Sequence, residues 1–217
     1  MNARDIRKIR CLDALHYSFQ ILRHYHSRLW GDCCKLHQDN SQIVSVLAGC
    51  WGFIDSMHRV REIAQSIPDL SVKHPEMRAF LSASKHAEDY RHYIQHLRGE
   101  LAKNPPNTFP VWGSISWTDK DNPQKSHTVF LGTHLSDTQN TSGVYDVKEQ
   151  KWVSNVSLGI GDITFNFDKV FESAARFEKF CIPYLRNSLD VKLNSRDKLP
   201  IMSLEIGTKN PGFQPPT

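Results

Sequence analysis

Apolar residues recur at three- and four-residue steps through most of the first hundred positions, the rhythm of helices that each bury one stripe. Leu12, Leu15, Phe19, Leu22 and Leu29 form the first stripe, and Gly31-Asp32 is expected to close that helix. Asp39-Asn40-Ser41 supplies N-cap residue types for a second helix, with a stripe of Val46, Cys50, Phe53, Met57, Val60 and Ala64 and an end marked by Pro68. A third begins near Pro75, a residue suited to a first helical turn. It carries Phe80, Ala83, Ala87, Tyr90, Ile94, Leu97 and Leu101 as far as Asn104-Pro105-Pro106. Three long stripes with short links predict antiparallel packing in a bundle.

Between Phe109 and Phe165 the rhythm changes to short alternating runs rich in Thr, Val, Ser, Trp and Gly. Residues 111–117 and 126–132 flank DKDNPQ, and residues 153–160 and 163–167 flank Gly161-Asp162, so two hairpins are predicted. The polar stretch 133–150 reads as a loop. A fourth helix is expected over 168–188, with Val170, Ala174, Phe177, Cys181 and Tyr184 inward and a kink or early stop at Pro183. Residues 201–206 are expected to add a last strand, and NPGFQPPT reads as a loose tail. The predicted class is α+β, one domain over 1–217 that is mainly a four-helix bundle (1–104 with 168–189). A small antiparallel sheet (109–167) is inserted between the third and fourth helices, and a strand and tail occupy 190–217.

Composition narrows the class without naming a chemistry. A chain of 217 residues with 39% hydrophobic residues can build one core, which excludes a wholly disordered protein. A net charge of +4 is too mild to argue for nucleic acid by itself. Histidine is concentrated: nine of the eleven fall within residues 16–96. The N-terminal segment has charge but no apolar core of the signal-peptide kind, and the apolar run from Val44 to Ile54 is far short of the roughly 20 residues that span a bilayer. The five cysteines are an odd number, and Cys33-Cys34 lacks the CxxC spacing of zinc or redox sites. Reduced thiols, a cytoplasmic location and no membrane association are therefore expected.

The densest polar stretch lies on the third helix: Lys85, His86, Glu88, Asp89, Arg91, His92, Gln95, His96 and Arg98. Within it, Arg91-His92-Tyr93-Ile94-Gln95-His96 has an arginine followed at once by a polar residue, and a histidine separated from that arginine by four residues. This resembles the motif of the HEPN superfamily, helical bundles that include metal-independent ribonucleases and the toxin halves of toxin–antitoxin pairs. The resemblance covers the helical first hundred residues and does not extend to the sheet-forming insertion. It implies that His96 is the acid/base, Arg91 the phosphate clamp and His92 an orienting or assisting group, with Gln95 and Arg98 as neighbouring substrate-binding residues. RNA as substrate, an antitoxin or other protein partner, a homodimer and no cofactor are implied with it.

The implied chemistry is physically coherent. Metal-free cleavage of RNA needs a base at the 2′-hydroxyl, an acid at the leaving oxygen and positive charge on the phosphorane, and imidazole and guanidinium supply these. On one continuous helix Arg91 and His96 lie about 140° apart around the axis. Paired subunits would remove that difficulty. Arg91, Gln95 and Arg98 share a flank beside the apolar stripe, whereas His92 and His96 point away from it.

Three other readings stay open from residues alone. The polar stretch has the composition of an ordinary solvated helix face, with Glu88 and His92 as an i,i+4 pair. Glu88, His92 and His96 share one face and could hold zinc, but the glutamate does not fall between the histidines as in the familiar zinc helix, so metal is the minority reading and no metal ligands are assigned. A non-catalytic assembly module, with the insertion presenting the binding surface, is the rival function class. His24, His26 and Arg28 suit a helix C-terminus, and Asp55, His58, Arg59 and Glu62 suit a salt-bridged face. Trp112, Trp117, Phe130 and Trp152 suit cross-strand packing. There is no phosphate-cradling glycine loop and no nucleophile elbow.

Overall fold

A computed structural model describes residues 2–36, 38–102, 110–122, 124–132 and 142–189. Helix α1 (Ala3–Lys35) starts where the Asn2 side chain accepts from Asp5 N. It passes Gly31-Asp32, where an end was expected, because Cys33 and Leu36 continue the buried stripe one turn further. That burial outweighs the roughly 1 kcal/mol a helical glycine costs. Asp39 caps a short 3-10 turn (Asn40–Gln42) through Ser41 N, and α2 (Ile43–Gln65) follows. The two long helices run antiparallel: Leu29 faces Gly49, Tyr25 faces Gly52, and Cys11 Sγ reaches Ser66 O. A Cβ at position 52 would collide with the Tyr25 ring, so only glycine permits this approach.

The third predicted helix is three: α3 (Pro75–Ala83), α4 (Lys85–Gln95) and α5 (Leu97–Leu101). The first break has a visible cause. Ser84 Oγ bonds back to Phe80 O at 2.6 Å, and Arg61 from α2 takes Leu81 O at 2.6 Å, the carbonyl a continuous helix would give to residue 85. The break lets one apolar stripe change partners. Phe80 of α3 stacks on Phe177, whereas Tyr90 of α4 packs beside Trp51 and Phe165. At the second break His96 leaves helical geometry (φ −108°, ψ 22°), and its carbonyl accepts from Gly99 N at 2.8 Å in a tighter turn.

The sheet follows in chain order. Strands β1 (Ser114–Thr118), β2 (Ser126–Phe130), β5 (Val156–Ile160) and β6 (Ile163–Asn166) form one antiparallel sheet in the order β2-β1-β5-β6. Both predicted hairpins are present, and Gly161 turns the second with φ +56°. Part of the stretch read as loop is ordered differently: β3 (Tyr145–Asp146) pairs with β4 (Lys151–Trp152), anchored by the buried Val144. Ile115, Leu158 and Phe165 are cross-strand neighbours on one face and join the helical core. The chain is therefore α+β with a small antiparallel sheet. Its described part has six α-helices, not four, because two turns split the third stripe.

Helix α6 (Phe167–Asn187) runs on past Pro183 where a stop was expected. Pro183 takes the donor from the Lys179 carbonyl, but both residues lie on the exposed side of the helix, while Leu185 beyond them stays buried. The strand expected at 201–206 and the tail lie outside the described residues. No described helix is long and apolar enough to cross a membrane.

Two tethers join sheet and helices. The buried Tyr90 hydroxyl lies 2.5 Å from Leu158 O and 2.8 Å from Ile163 O, and donates its proton to these carbonyls. Burial pushes the phenol well above its usual range, so it stays a donor at accessible pH. Tyr90→Phe is expected to lower stability by about 1–3 kcal/mol, as for a buried acceptor left without its donor, measured by urea unfolding. The second tether is Asp168 at the start of α6, which accepts from Asn155 N at 2.5 Å and pairs with His26 Nε2 at 2.7 Å. Burial raises the Asp168 carboxyl, but the bonds from His26, Asn155 and Ser154 outweigh it, and the net shift is downward. The folded chain thus binds this proton less readily than the unfolded one. Its contribution is present above the unfolded value of about 4 and lost as pH falls below it. Asp168→Asn is expected to be less stable than wild type at pH 7, with the gap narrowing as pH drops toward 3.

Candidate functional site

The polar stretch of the third stripe is positioned by Arg61. This guanidinium is buried, donates to Leu81 O, to Ser84 Oγ at 2.7 Å and to Glu88 Oε2 at 2.8 Å, and so clamps the start of α4 against α2. From that anchor, one flank of α4 meets α2. Arg91 Nη1 pairs with Asp55 Oδ1, and Asp55 Oδ2 accepts from Arg59 Nε at 2.8 Å. The carboxylate therefore lies between two guanidiniums, and this three-group set carries one net positive charge.

Beside the Arg91–Asp55 pair is a cleft of about 460 Å³, within the range of small-ligand sites. Leu47, Trp51, Ile54, Ile94 and Trp112 supply apolar walls, and Asp55, Arg91 and Gln95 supply the polar part. Trp51 and Trp112 meet edge to face with ring centroids 6.3 Å apart. Trp112 was expected to pack across strands, but it precedes β1 and stays 40% exposed. A second depression of about 700 Å³ adjoins the cleft through Val44, Leu47 and Trp112 and runs to Val129 and Leu131 beside edge strand β2. Val44, at the boundary of the two, is 72% exposed.

The other flank of α4 faces solvent. His92 and His96 are exposed, with ring centroids 4.3 Å apart. Gln95, on the cleft side, and Arg98, on α5, are exposed as well. The structure thus sorts the five residues named from sequence into two groups. Arg91 and Gln95 line the cleft, whereas His92 and His96 meet outside it and Arg98 follows on α5. No hydrogen bond or ring contact joins Arg91 to His96 among the described residues.

Glu88 is engaged by Arg61, and no group of three or more His, Cys, Asp or Glu is arranged for a metal ion among the described residues. The Asp55–Arg59 and His58–Glu62 pairs form the salt-bridged face expected of α2. His26, expected to serve a helix end, instead joins α1 to α6 by bonding Asp168 and stacking on Phe171. The thiols are packing groups: burial raises Cys33 and Cys50, and pushes Cys181 up to about 12. The elements missed from sequence were Asp55 as the partner of Arg91 and the pairing of Trp51 with Trp112. The only sequence signal was that all four residues carry polar or aromatic groups beside apolar stripes.

Fold and site together define an α+β protein with an apolar, tryptophan-walled cleft on one flank of α4 and an exposed imidazole pair on the other. Comparison with protein-family models, curated proteins and solved structures returns no match for this chain.

Proposed function

We propose that the chain is an RNA-binding protein of the HEPN kind, with its contact surface at the end of α4. The observation that carries this reading is the turn at His96, which leaves His92 and His96 exposed side by side, next in the chain to Arg91 and Gln95 and just before Arg98. Guanidiniums and imidazoles gathered at the end of one helix suit a phosphodiester, and an imidazole gives and takes protons near neutral pH. Binding is favoured over cleavage within one copy, because Arg91 is held by Asp55 and does not reach His96. Metal-independent cleavage in this reading takes place in a homodimer, where Arg91 of one copy serves the histidines of the other.

Arg91→Ala and His96→Ala are each expected to weaken binding of a short unstructured RNA by roughly ten-fold, the loss of one charge-assisted contact. Asp55→Asn, which releases Arg91 and removes a negative charge, is expected to tighten it. Fluorescence anisotropy at fixed salt reads all three, with thermal midpoints as the folding control. Equal affinity across wild type and both alanine variants, or no binding at low salt, would overturn the reading. A second reading, an assembly module without chemistry, is favoured by one observation: the highly exposed Val44 between two apolar depressions. Loss of self-association in Val44→Asp, with no RNA binding in any variant, would select it.

A further inference from the structure

We infer that the cleft between α2, α4 and Trp112 takes one unpaired nucleobase. Where that base belongs to an RNA strand, the inference rests on the RNA reading above. The walls fit a flat ring: the Trp51 and Trp112 indoles stand edge to face, with Leu47 and Ile54 completing an apolar slot of about 460 Å³. With the indoles at 78°, a base stacks on one of them and meets the other edge-on, and such stacking is tolerant of sequence.

The polar part of the cleft selects against a purely apolar occupant. The Asp55 carboxylate accepts, the Arg91 guanidinium donates, and the Gln95 amide does both, which matches the donor–acceptor edge of a base. An aliphatic side chain seated here would cover the Gln95 amide and the Arg91 donors that Asp55 does not use, at a desolvation cost. Charge points the same way. Asp55 is shared by Arg59 and Arg91, so this edge of the cleft keeps one net positive charge. That balance disfavours a cation and suits a base attached to phosphate. A strand anchored in the slot must reach around the end of α4 for its phosphates to meet the exposed His92, His96 and Arg98.

The test uses the full chain and four probes: pentamers of riboadenylate and ribouridylate, an abasic pentamer of equal charge, and free adenosine. Base-bearing pentamers are expected to bind about ten-fold more tightly than the abasic one. Trp112→Ala removes a wall, and Ala48→Phe fills the slot from an exposed position on α2. Each is expected to erase that difference while leaving abasic binding unchanged, whereas His96→Ala lowers all three pentamers alike. If no pentamer binds but adenosine quenches wild-type tryptophan fluorescence and not that of Ala48→Phe, the slot stands as a free-nucleoside site and the RNA reading falls. If all pentamers bind equally and adenosine does not bind, the base slot is overturned and phosphate-driven RNA binding remains. If the apolar dye bis-ANS fills the slot and neither RNA nor adenosine displaces it, the occupant is an apolar protein segment and the inference is lost.

Discussion

Arg61→Ala is expected to lower stability by about 3 kcal/mol, the cost of stripping donors from buried acceptors. The side chain donates to Leu81 O and Ser84 Oγ, and Ser84 is fully buried, so water cannot replace those bonds without opening the junction. The pair with Glu88 contributes little of this, since Glu88 is largely exposed. The loss should be local as well as global: amides around the α3–α4 break lose hydrogen-exchange protection before those of α1. Because this clamp sets where α4 begins, the proposed RNA contact at the end of α4 should weaken in the variant although Arg61 lies outside it. Arg61→Lys, which keeps the charge but not the fork of donors, should recover only part of the stability. Urea midpoints decide the matter, and a loss below about 1 kcal/mol would mean the carbonyls find other donors.

The second large effect is expected at Gly113. Its φ is +81°, and a Cβ there would stand far inside van der Waals contact distance of Gly159 O and 2.8 Å from Ile160 Cγ1. That carbonyl belongs to β5, which β1 pairs through Ser114 and Gly159, so it cannot retreat without opening the sheet. Gly113→Ala should therefore cost about 3 kcal/mol or more, combining backbone strain with overpacking. Gly161→Ala is the control. It has φ +56° but nothing within 4 Å of a Cβ, so only the left-handed penalty of about 1–2 kcal/mol applies. Thermal unfolding compares the two directly, and equal losses would show that the contact with Gly159 O relaxes freely. Near-UV dichroism should change only for Gly113→Ala, because the neighbouring Trp112 would leave Trp51.

Local pattern carried much of the fold. The stripes of α1 and α2, the cap at Asp39 and the turns of both hairpins depend on residues close in sequence, where periodicity and turn chemistry act directly. The break at Ser84 was not legible in this way. Its cause is Arg61, 23 residues earlier, taking a carbonyl that a helix would otherwise use. One signal was available: Arg61 lies on the stripe between Met57 and Ala64, where a charged residue must find buried partners. Likewise, a proline inside α6 predicted an end, and only the exposure of Lys179 and Pro183 shows why the helix continues.

For the site the division is sharper. Composition and spacing determined that arginine, histidine and glutamine crowd one helical segment, and helical geometry determined that Arg91 and His96 face different ways. Local spacing also put His92 beside His96, whereas tertiary structure decided what Arg91 meets: Asp55, and a slot walled by Trp51 and Trp112 between α4 and α2. The physical reason is range. Periodicity reports which side of an element is buried, whereas a hydrogen bond or ring contact between residues 36 or 61 positions apart exists only once packing has closed the intervening chain.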